Sequence, residues 1–265
     1  MAAVSVVVIT KDEEKNIRDA LAGASFADEI VVLDSFSADG TVDICREFTD
    51  RIFQEEWRGF SAQKQRAVEL AGNDWVFVLD ADERITPALA EEISKLVDAG
   101  PDRPGYRCPR RNHFMGREIR HGGWYPDYSV RLFDRRRGRF QERAVHEAVK
   151  LDGEAGYLKN PMLHFTYDGV SDYLLRADRY STLAAQEMRQ QGRSAKISDL
   201  LLRPHMTFMK MYLFKGGFRD GIRGLLLAGL YSCYTFSKYA KLLEMTIKER
   251  LDHGLTRTNI RDKNP

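Results

Sequence analysis

In residues 76–87, VFVLDADERITP, four apolar residues are followed directly by a segment with three acids, Asp80, Asp82 and Glu83. The apolar run predicts a buried β-strand, and the Thr-Pro pair at 86–87 is typical of a helix start. An acid in the first turn would stabilise that helix, which explains one carboxylate. A bound divalent cation, which takes oxygen ligands and cancels the repulsion between like charges, would explain all three. The stretch therefore predicts a strand–loop–helix unit with a helix cap or a metal site at the end of the strand.

Strand, polar loop and helix alternate in the same way along the first 95 residues. The strands are apolar runs at 4–9, 30–33 and 75–79, with a shorter one at 51–54. Runs of this kind are typical of parallel strands that are buried on both faces. The alternation predicts an α/β fold, with a mostly parallel sheet, flanking helices and ligands at the carboxyl ends of the strands.

The pattern changes twice further along the chain. Pro and Gly interrupt it from residue 100, and residues 107–149 predict shorter, mixed strands. Beyond residue 171 the pattern is helical, so we expect an α/β domain at 1–170 and a helical C-terminal region at 171–265. The two regions differ in charge: the first has 24 Lys and Arg against 30 Asp and Glu, and the second has 17 against 9.

The basic character of the C-terminal region is concentrated in residues 205–241, where six Lys or Arg and one acid are interleaved with aromatic side chains. The most apolar stretch, 225–236, is too short to span a bilayer. This composition predicts helices that lie on an anionic membrane surface, or a helical subdomain packed on the α/β domain. Nucleic acid is not an expected partner, because the net charge is only +2 and no known binding module occurs.

Cysteine usage and the N-terminal residues bear on the cellular compartment. The three cysteines are odd in number and far apart, which fits neither a disulfide framework nor a zinc cluster and indicates a reducing compartment. A strand begins at once, without a basic segment before it, so we expect no signal peptide. Together with the basic helical region, these features predict a cytoplasmic protein bound peripherally to the inner face of the cell membrane.

The predicted strands end in similar polar segments: TKDE at 10–13, DSFSADGT at 34–41 and DADE at 80–83. In a parallel sheet these ends share one edge, so the segments should border one cleft. Neither Gly-x-Gly-x-x-Gly nor Gly-x-x-x-x-Gly-Lys-Ser/Thr occurs, which argues against a Rossmann dinucleotide site and a P-loop. Phosphates bound in this cleft would therefore be held by a metal and by Lys or Arg.

These segments resemble those of the inverting family 2 glycosyltransferases, which have the GT-A fold. Further motifs, in the right order over nearly the whole chain, resemble the lipopolysaccharide-core β-1,4-glucosyltransferase-like branch. They are GFSAQK (59–64), GGWYPDYSVRLF (122–133), AVHE (144–147), PMLHFTY (161–167) and DRYSTLAA (178–185). The resemblance implies a hexosyltransferase that moves glucose from UDP-glucose to a lipid-linked saccharide such as the lipopolysaccharide inner core.

The resemblance also implies roles for individual residues. Asp80 and Asp82 match the Asp-x-Asp motif that binds Mg²⁺ or Mn²⁺, with Asp82 the more direct ligand, and the metal would act as a Lewis acid on the diphosphate leaving group. Asp34 would accept a hydrogen bond from the uracil base, and Lys64 would lie near the diphosphate. The residues expected to bind the nucleotide sugar are Thr10, Lys11, Glu13, Asp34, Lys64, Asp80 and Arg131.

An inverting transfer needs a carboxylate that takes the proton of the acceptor hydroxyl. Asp127, together with Arg131, resembles a variant of the family's acid-x-x-x-Arg helix, whose acid is usually this base, and we favour it. Glu147 is the alternative. On that alternative, His146 or His164 would supply a third metal ligand.

Some features leave two interpretations open. Trp124 and Tyr125 either stack on a sugar ring or pack in the core. A sugar-1-phosphate nucleotidyltransferase uses a similar fold and metal site, but such enzymes begin with a Gly-rich loop, and residues 4–14 contain no glycine. A non-catalytic nucleotide-sugar-binding protein at the membrane would lack the metal-binding or base carboxylates, which this chain has.

Overall fold

The computed structural model describes residues 3–141, 148–167 and 169–261, with side chains up to residue 249. Contacts between Cα atoms divide the chain into two compact units. Unit 1 comprises Met1–Glu118 and Trp124–Thr166, and unit 2 comprises Ile119–Gly123 and Tyr167–Pro265. Unit 2 therefore includes a short segment from the middle of the chain, which a single boundary drawn along the sequence does not anticipate.

The twelve strands of the described residues lie in unit 1, except for Tyr167, the last residue of β12, which belongs to unit 2. In chain order they are β1 (Val4–Thr10), β2 (Glu29–Asp34), β3 (Ile52–Gln54), β4 (Trp75–Asp80), β5 (Glu83–Arg84), β6 (Gly105–Phe114), β7 (Arg117–Glu118), β8 (Asp127–Asp134), β9 (Gly138–Gln141), β10 (Ala148–Leu151), β11 (Gly156–Tyr157) and β12 (Met162–Tyr167). The main sheet has the order β3-β2-β1-β4-β8-β6-β12-β5, with β7 and β11 paired to β6, and β9 pairs with β10 separately. Strands β1 to β4 are parallel, whereas β8 is antiparallel to β4 and β6. The parallel sheet and the mixed strands that follow it are both as predicted.

Helices cover both faces of this sheet, and in unit 1 they are α1 (Ile17–Ala22), α2 (Thr41–Cys45), α3 (Phe60–Leu70) and α4 (Pro87–Ala99). Successive side chains of a strand point to opposite faces. Accordingly, Val6 and Val8 of β1 pack in one apolar cluster with α1 and α4, and Val7 and Ile9 pack in another with α3. All residues of β1 are buried, which explains why its sequence is a continuous run rather than an alternation.

The start of α4 settles one question about the acidic cluster. Thr86 Oγ1 accepts a hydrogen bond from the backbone N–H of Leu89 at 3.3 Å, and Pro87 is the first helical residue. The threonine is therefore the cap, and the explanation of the acids as helix caps is wrong. Glu83 lies in β5 instead, and its carboxylate accepts a hydrogen bond from the N–H of Asp80 at 3.1 Å.

Unit 2 is helical, with α5 (Val170–Gln190), α6 (Ile197–Met209), a π-helical turn (Lys210–Phe214), a 3-10 turn (Gly217–Asp220) and α7 (Gly221–Arg261). Its small core consists of Ala185, Met188, Ala195, Tyr239 and Leu242. The turn and α7 approach so closely that a Cβ atom on Gly224 would lie 1.8 Å from the carbonyl oxygen of Gly217, so only glycine fits there. Within residues 3–261, apart from the gaps, no helix combines the length and the apolar character needed to cross a membrane.

Candidate active site

The carboxyl ends of β1, β2 and β4 lie side by side at one edge of the sheet. In the strand register, Thr10 is opposite Asp34, and Ile9 is opposite Asp80. The three polar segments therefore begin at neighbouring positions, as the parallel arrangement of the strands predicts.

The residues of the loop after β1 differ in exposure. Thr10 is buried, and its hydroxyl group has no hydrogen-bond partner among the described residues. Lys11 is exposed, and its ammonium group donates to the backbone carbonyl of Phe36. The backbone N–H of Glu13 donates to Thr41 Oγ1 at 2.8 Å. These contacts tie the loop after β1 to the loop after β2.

Asp34 is fully buried at the end of β2. Its Oδ2 accepts hydrogen bonds from the backbone N–H of Ser37 and from Gln54 Nε2, both at 2.9 Å, and its Oδ1 accepts one from Ser37 Oγ at 2.5 Å. The structure therefore places this carboxylate inside the hydrogen bonds of its own loop, and the hydrogen bond from the uracil base to Asp34 stays a prediction. Its observed role is to fix the loop that follows β2.

Asp80 lies between two cations. Lys64 Nζ is 2.6 Å from its Oδ1, and Arg131 Nη2 is 2.8 Å from its Oδ2 and 2.5 Å from Glu83 Oε1. Burial raises the pKa of Asp80, but the charges of Arg131 and Lys64 outweigh it and hold the pKa below its ordinary value. Burial raises the pKa of Glu83, and the charge of Arg131 does not cancel that rise. Because both oxygens of Asp80 already contact cations of the protein itself, Asp82 is the carboxylate of the Asp-x-Asp pair that could hold a metal.

Asp82 faces a histidine of β12. Its Oδ2 lies 3.5 Å from His164 Nε2, and the two side chains are 21% and 14% exposed. Among the described residues, no group of three His, Cys, Asp or Glu side chains is close enough to hold a metal without other ligands. Mg²⁺ and Mn²⁺ sites in phosphate-transferring enzymes commonly use one or two protein ligands and complete the shell with phosphate oxygens and water. The Asp82–His164 pair fits such a site, and its imidazole nitrogen favours Mn²⁺ over the oxygen-seeking Mg²⁺.

Asp127 is the first residue of β8, not a helical residue as the resemblance implied. Its Oδ2 is 2.7 Å from Arg110 Nη2 and 3.2 Å from Asn112 Nδ2. Arg131 lies four residues further along the strand, roughly 13 Å away at about 3.3 Å per residue, so the two do not form a helical pair. The side chain of Asp127 is 32% exposed, and its Oδ1 has no hydrogen-bond partner in the described part of the chain.

The remaining predicted residues fall into three groups. Glu147 and His146 lie outside the described residues. Trp124 is buried, and its ring packs edge-on against Phe114 with 6.3 Å between ring centroids, which favours core packing over sugar stacking. Tyr125 is 43% exposed and is open to a ligand.

Three polar side chains of the site were not predicted from the sequence: Arg84, Arg110 and Asn112. Arg110 and Asn112 are two residues apart on β6 and therefore lie on one face, and Arg110 is the cross-strand neighbour of Asp127. The sequence signal is the spacing of these polar residues, but its meaning depends on the pairing of β6 with β8. Burial lowers the pKa of the Arg84 guanidinium, an effect opposed by nearby acids that include Asp82.

These side chains form one network of contacts. In order, it runs through Lys64, Asp80, Arg131, Glu83, Arg110, Asp127, Asn112, His164 and Asp82. Of the four carboxylates in this network, Asp82 is the one whose ion-pair partner, within the described ranges, is a histidine rather than Lys or Arg. The charge of Arg84 also acts on Asp82. A bound cation would therefore find at Asp82 a carboxylate that no Lys or Arg of the described chain holds in an ion pair.

Comparison with known proteins gives consistent matches. The Glycosyl transferase family 2 model matches residues 5–161. The lipopolysaccharide core biosynthesis glycosyltransferase LpsC of Rhizobium meliloti is 30% identical over 252 residues, which cover 91% of this chain and 92% of LpsC. An uncharacterized glycosyltransferase of Rickettsia typhi is 25% identical over 94% of this chain and 90% of its own length. The mannosyltransferase PcManGT of Pyrobaculum calidifontis, solved with GDP-Man and Mn²⁺, aligns with a TM-score of 0.52 and 17% identity over 91% of this chain and 87% of its own. That structural likeness confirms the predicted GT-A fold.

Proposed function

The chain belongs to glycosyl transferase family 2, and we propose that it transfers a hexose, with inversion, from a nucleotide sugar to a lipid-linked saccharide such as the lipopolysaccharide inner core. The donor is UDP-glucose, and the cofactor is Mn²⁺ or Mg²⁺. One observation carries the proposal: Asp82 and His164 face each other in a network that also holds the carboxylate of Asp127. Because a family 2 member is a glycosyltransferase, we do not retain the nucleotidyltransferase or the non-catalytic binding protein.

Different observations support the proposed acceptor and the proposed donor. LpsC is named for lipopolysaccharide core biosynthesis, and its similarity extends over more than nine-tenths of both chains. This supports a core saccharide as the acceptor. UDP-glucose is supported by the motifs that resemble the glucosyltransferase-like branch. PcManGT was solved with GDP-Man, so a guanine nucleotide sugar belongs in the same assay.

Asp127 is the proposed general base. Its Oδ1 takes the proton of the acceptor hydroxyl while the hydroxyl oxygen attacks the anomeric carbon of the donor. The bond between that carbon and the diphosphate oxygen breaks, and the nucleoside diphosphate leaves with the electron pair. Arg110 and Asn112 orient the carboxylate through Oδ2, at 2.7 and 3.2 Å.

Asp82 and His164 would hold the metal, which when bound supplies Lewis-acid neutralisation of the charge on the diphosphate. Lys64 and Arg131 do not hold the metal in this proposal. They bind Asp80 and so fix the strand end that leads to Asp82. The loops that carry Thr10, Lys11, Glu13 and Asp34 would form the nucleotide side of the cleft, with Asp34 acting through the shape of its loop.

We further propose that unit 2 holds the enzyme on the anionic inner face of the cell membrane. Between residues 197 and 225, ten large apolar side chains are more than a third exposed, among them Ile197 at 72%, Met206 at 67% and Phe214 at 83%. The basic residues of the same segment are Arg203, Lys210, Lys215, Arg219 and Arg223. Exposed apolar groups flanked by basic ones suit the boundary between the lipid headgroups and the acyl chains.

The direct test uses purified enzyme, Mn²⁺ and a panel of UDP and GDP sugars, and measures the release of nucleoside diphosphate. We expect release from UDP-glucose that stops with a chelator and returns with added Mn²⁺. Asp82→Asn should lose this release, whereas Asp98→Asn, which changes an exposed acid of α4, should keep it. Release that is indifferent to the chelator would overturn the metal role, and release from GDP sugars alone would overturn the UDP assignment.

A further inference from the structure

Asn112 of β6 is 5% exposed and uses both ends of its amide group. Its Nδ2 donates to the backbone carbonyl of Trp124 at 2.8 Å and to Asp127 Oδ2 at 3.2 Å. Its Oδ1 lies 2.7 Å from Nδ1 of His164. One buried side chain thus contacts both the proposed base and the proposed metal ligand.

These partners identify which side-chain atom of Asn112 is the nitrogen and which is the oxygen. A backbone carbonyl only accepts hydrogen bonds, so the atom that faces Trp124 must be the amide nitrogen. The oxygen then faces His164, and the hydrogen bond requires a proton on Nδ1 of that ring. Thr166 Oγ1 makes a longer contact of 3.4 Å with the same Nδ1. In a neutral imidazole this arrangement leaves the lone pair on Nε2, which is the atom 3.5 Å from Asp82 Oδ2.

The nitrogen end of the amide acts on Asp127. Asn112 and Arg110 both bind Oδ2 of that carboxylate, at 3.2 and 2.7 Å, and so turn Oδ1 away from the protein's own donors. Arg110 alone would leave the carboxylate able to rotate about a single partner, whereas two donors on one oxygen fix the plane of the group.

We infer that Asn112 is a positioning residue that sets both the tautomer of His164 and the orientation of Asp127, and so couples the metal side of the site to the base. The inference rests on the proposed function for the roles of those two residues. Because the amide is buried behind both groups, it acts through them rather than on the substrate.

The first test is independent of activity and uses the metal-free wild-type enzyme. Nitrogen-15 NMR of histidine-labelled protein reports which ring nitrogen carries the proton, and the His164 signals are identified by their loss in His164→Gln. We expect the Nδ1–H tautomer in the wild type and a mixture of tautomers in Asn112→Ala. An Nε2–H tautomer in the wild type would overturn the inference, even if the enzyme transfers sugar as proposed.

The second test separates the two ends of the amide. Asn112→Asp keeps an oxygen towards His164 but places an oxygen where Nδ2 faced Asp127. We measure the Mn²⁺ affinity of this variant in the presence of UDP by electron paramagnetic resonance. We expect it to stay within about threefold of the wild-type affinity, because the oxygen that accepts from the metal ligand His164 is retained. We expect kcat to fall by about tenfold or more at unchanged donor KM, because the base loses its orientation.

Asn112→Ala removes both ends, so it should lose about 10- to 100-fold in Mn²⁺ affinity as well as kcat. A purely structural role predicts the same losses of affinity and kcat in both variants, in step with a lower Tm. That parallel behaviour would refute the coupling. A correctly folded Asn112→Ala with wild-type affinity and kcat would refute it as well.

Discussion

Replacing Asp127 by Asn removes the carboxylate that we assign to proton abstraction while it preserves the size of the side chain. An asparagine oxygen can accept from Arg110 and Asn112 in place of Oδ2, which accepts at 2.7 and 3.2 Å. The side chain is 32% exposed, so the loss of the ion pair should cost roughly 1 kcal/mol of stability or less. The fold should therefore survive the change.

Turnover, in contrast, should be largely lost in Asp127→Asn. A positioned general base contributes about 10²- to 10⁴-fold to rate, which corresponds to about 2.7–5.5 kcal/mol of activation free energy. We expect Asp127→Asn to lower kcat by that factor while donor affinity stays unchanged, because Asp82 and His164 are untouched. The assay is nucleotide release and transfer at saturating UDP-glucose, with donor affinity measured separately by calorimetry.

Glu147→Gln is the matched control, because it makes the same chemical change at the alternative base. It should be milder than Asp127→Asn. A larger loss of kcat in Glu147→Gln would transfer the role of base to Glu147. A fall in donor affinity as large as the fall in kcat for Asp127→Asn would contradict our reasoning, since it would place that carboxylate at the donor.

Three further predictions concern the rest of the molecule. Asp82→Asn should abolish Mn²⁺-dependent turnover without lowering Tm, and unchanged turnover and metal affinity would refute the ligand assignment. Asp34→Ala removes the acceptor of three hydrogen bonds from Ser37 and Gln54, so it should lower the free energy of unfolding by about 1–3 kcal/mol and weaken UDP binding by about 1–3 kcal/mol; calorimetry that gives equal affinity would remove this loop from the nucleotide site. Co-sedimentation with anionic vesicles should fall as salt rises, because each exposed base in 205–241 contributes about 1 kcal/mol that salt screens; equal binding to neutral vesicles would contradict the electrostatic role.

The fold was predictable because its strands are buried on both faces. All residues of β1 and nearly all of β4 are buried, and most of them are apolar, so long apolar runs marked the parallel strands, and each polar segment marked a strand end. The strand ends also predicted which residues are neighbours. Thr10 at the end of β1 and Asp34 at the end of β2 lie opposite each other in the register, as a shared sheet edge requires.

The site was less predictable, because the sequence does not reveal how a loop folds back on its strand. Asp34 is at the expected strand end but is enclosed by Ser37 and Gln54. Lys64 and Arg131 were expected at the nucleotide, yet both are buried against Asp80. A strand end fixes the position of a residue, whereas its exposure depends on long-range packing.

The contacts of β6 could not be predicted from the sequence, for a related reason. Arg110 and Asn112 matter because β6 pairs with β8, which brings them beside Asp127. The register of an antiparallel pair depends on the whole sheet, and a shift of one residue would turn both side chains to the other face. Their polar character alone was equally consistent with a solvent-exposed surface.

We propose metal-dependent transfer of glucose from UDP-glucose to a lipid-linked core saccharide. This transfer can be followed as the incorporation of radiolabelled glucose from UDP-glucose into an extracted lipopolysaccharide-core acceptor, with Mn²⁺, with chelator, and with Asp127→Asn. We predict label in the lipid-linked fraction for the wild type with Mn²⁺ and almost none in the other two reactions. Transfer that persists with chelator, or that Asp127→Asn supports at the wild-type rate, would contradict it.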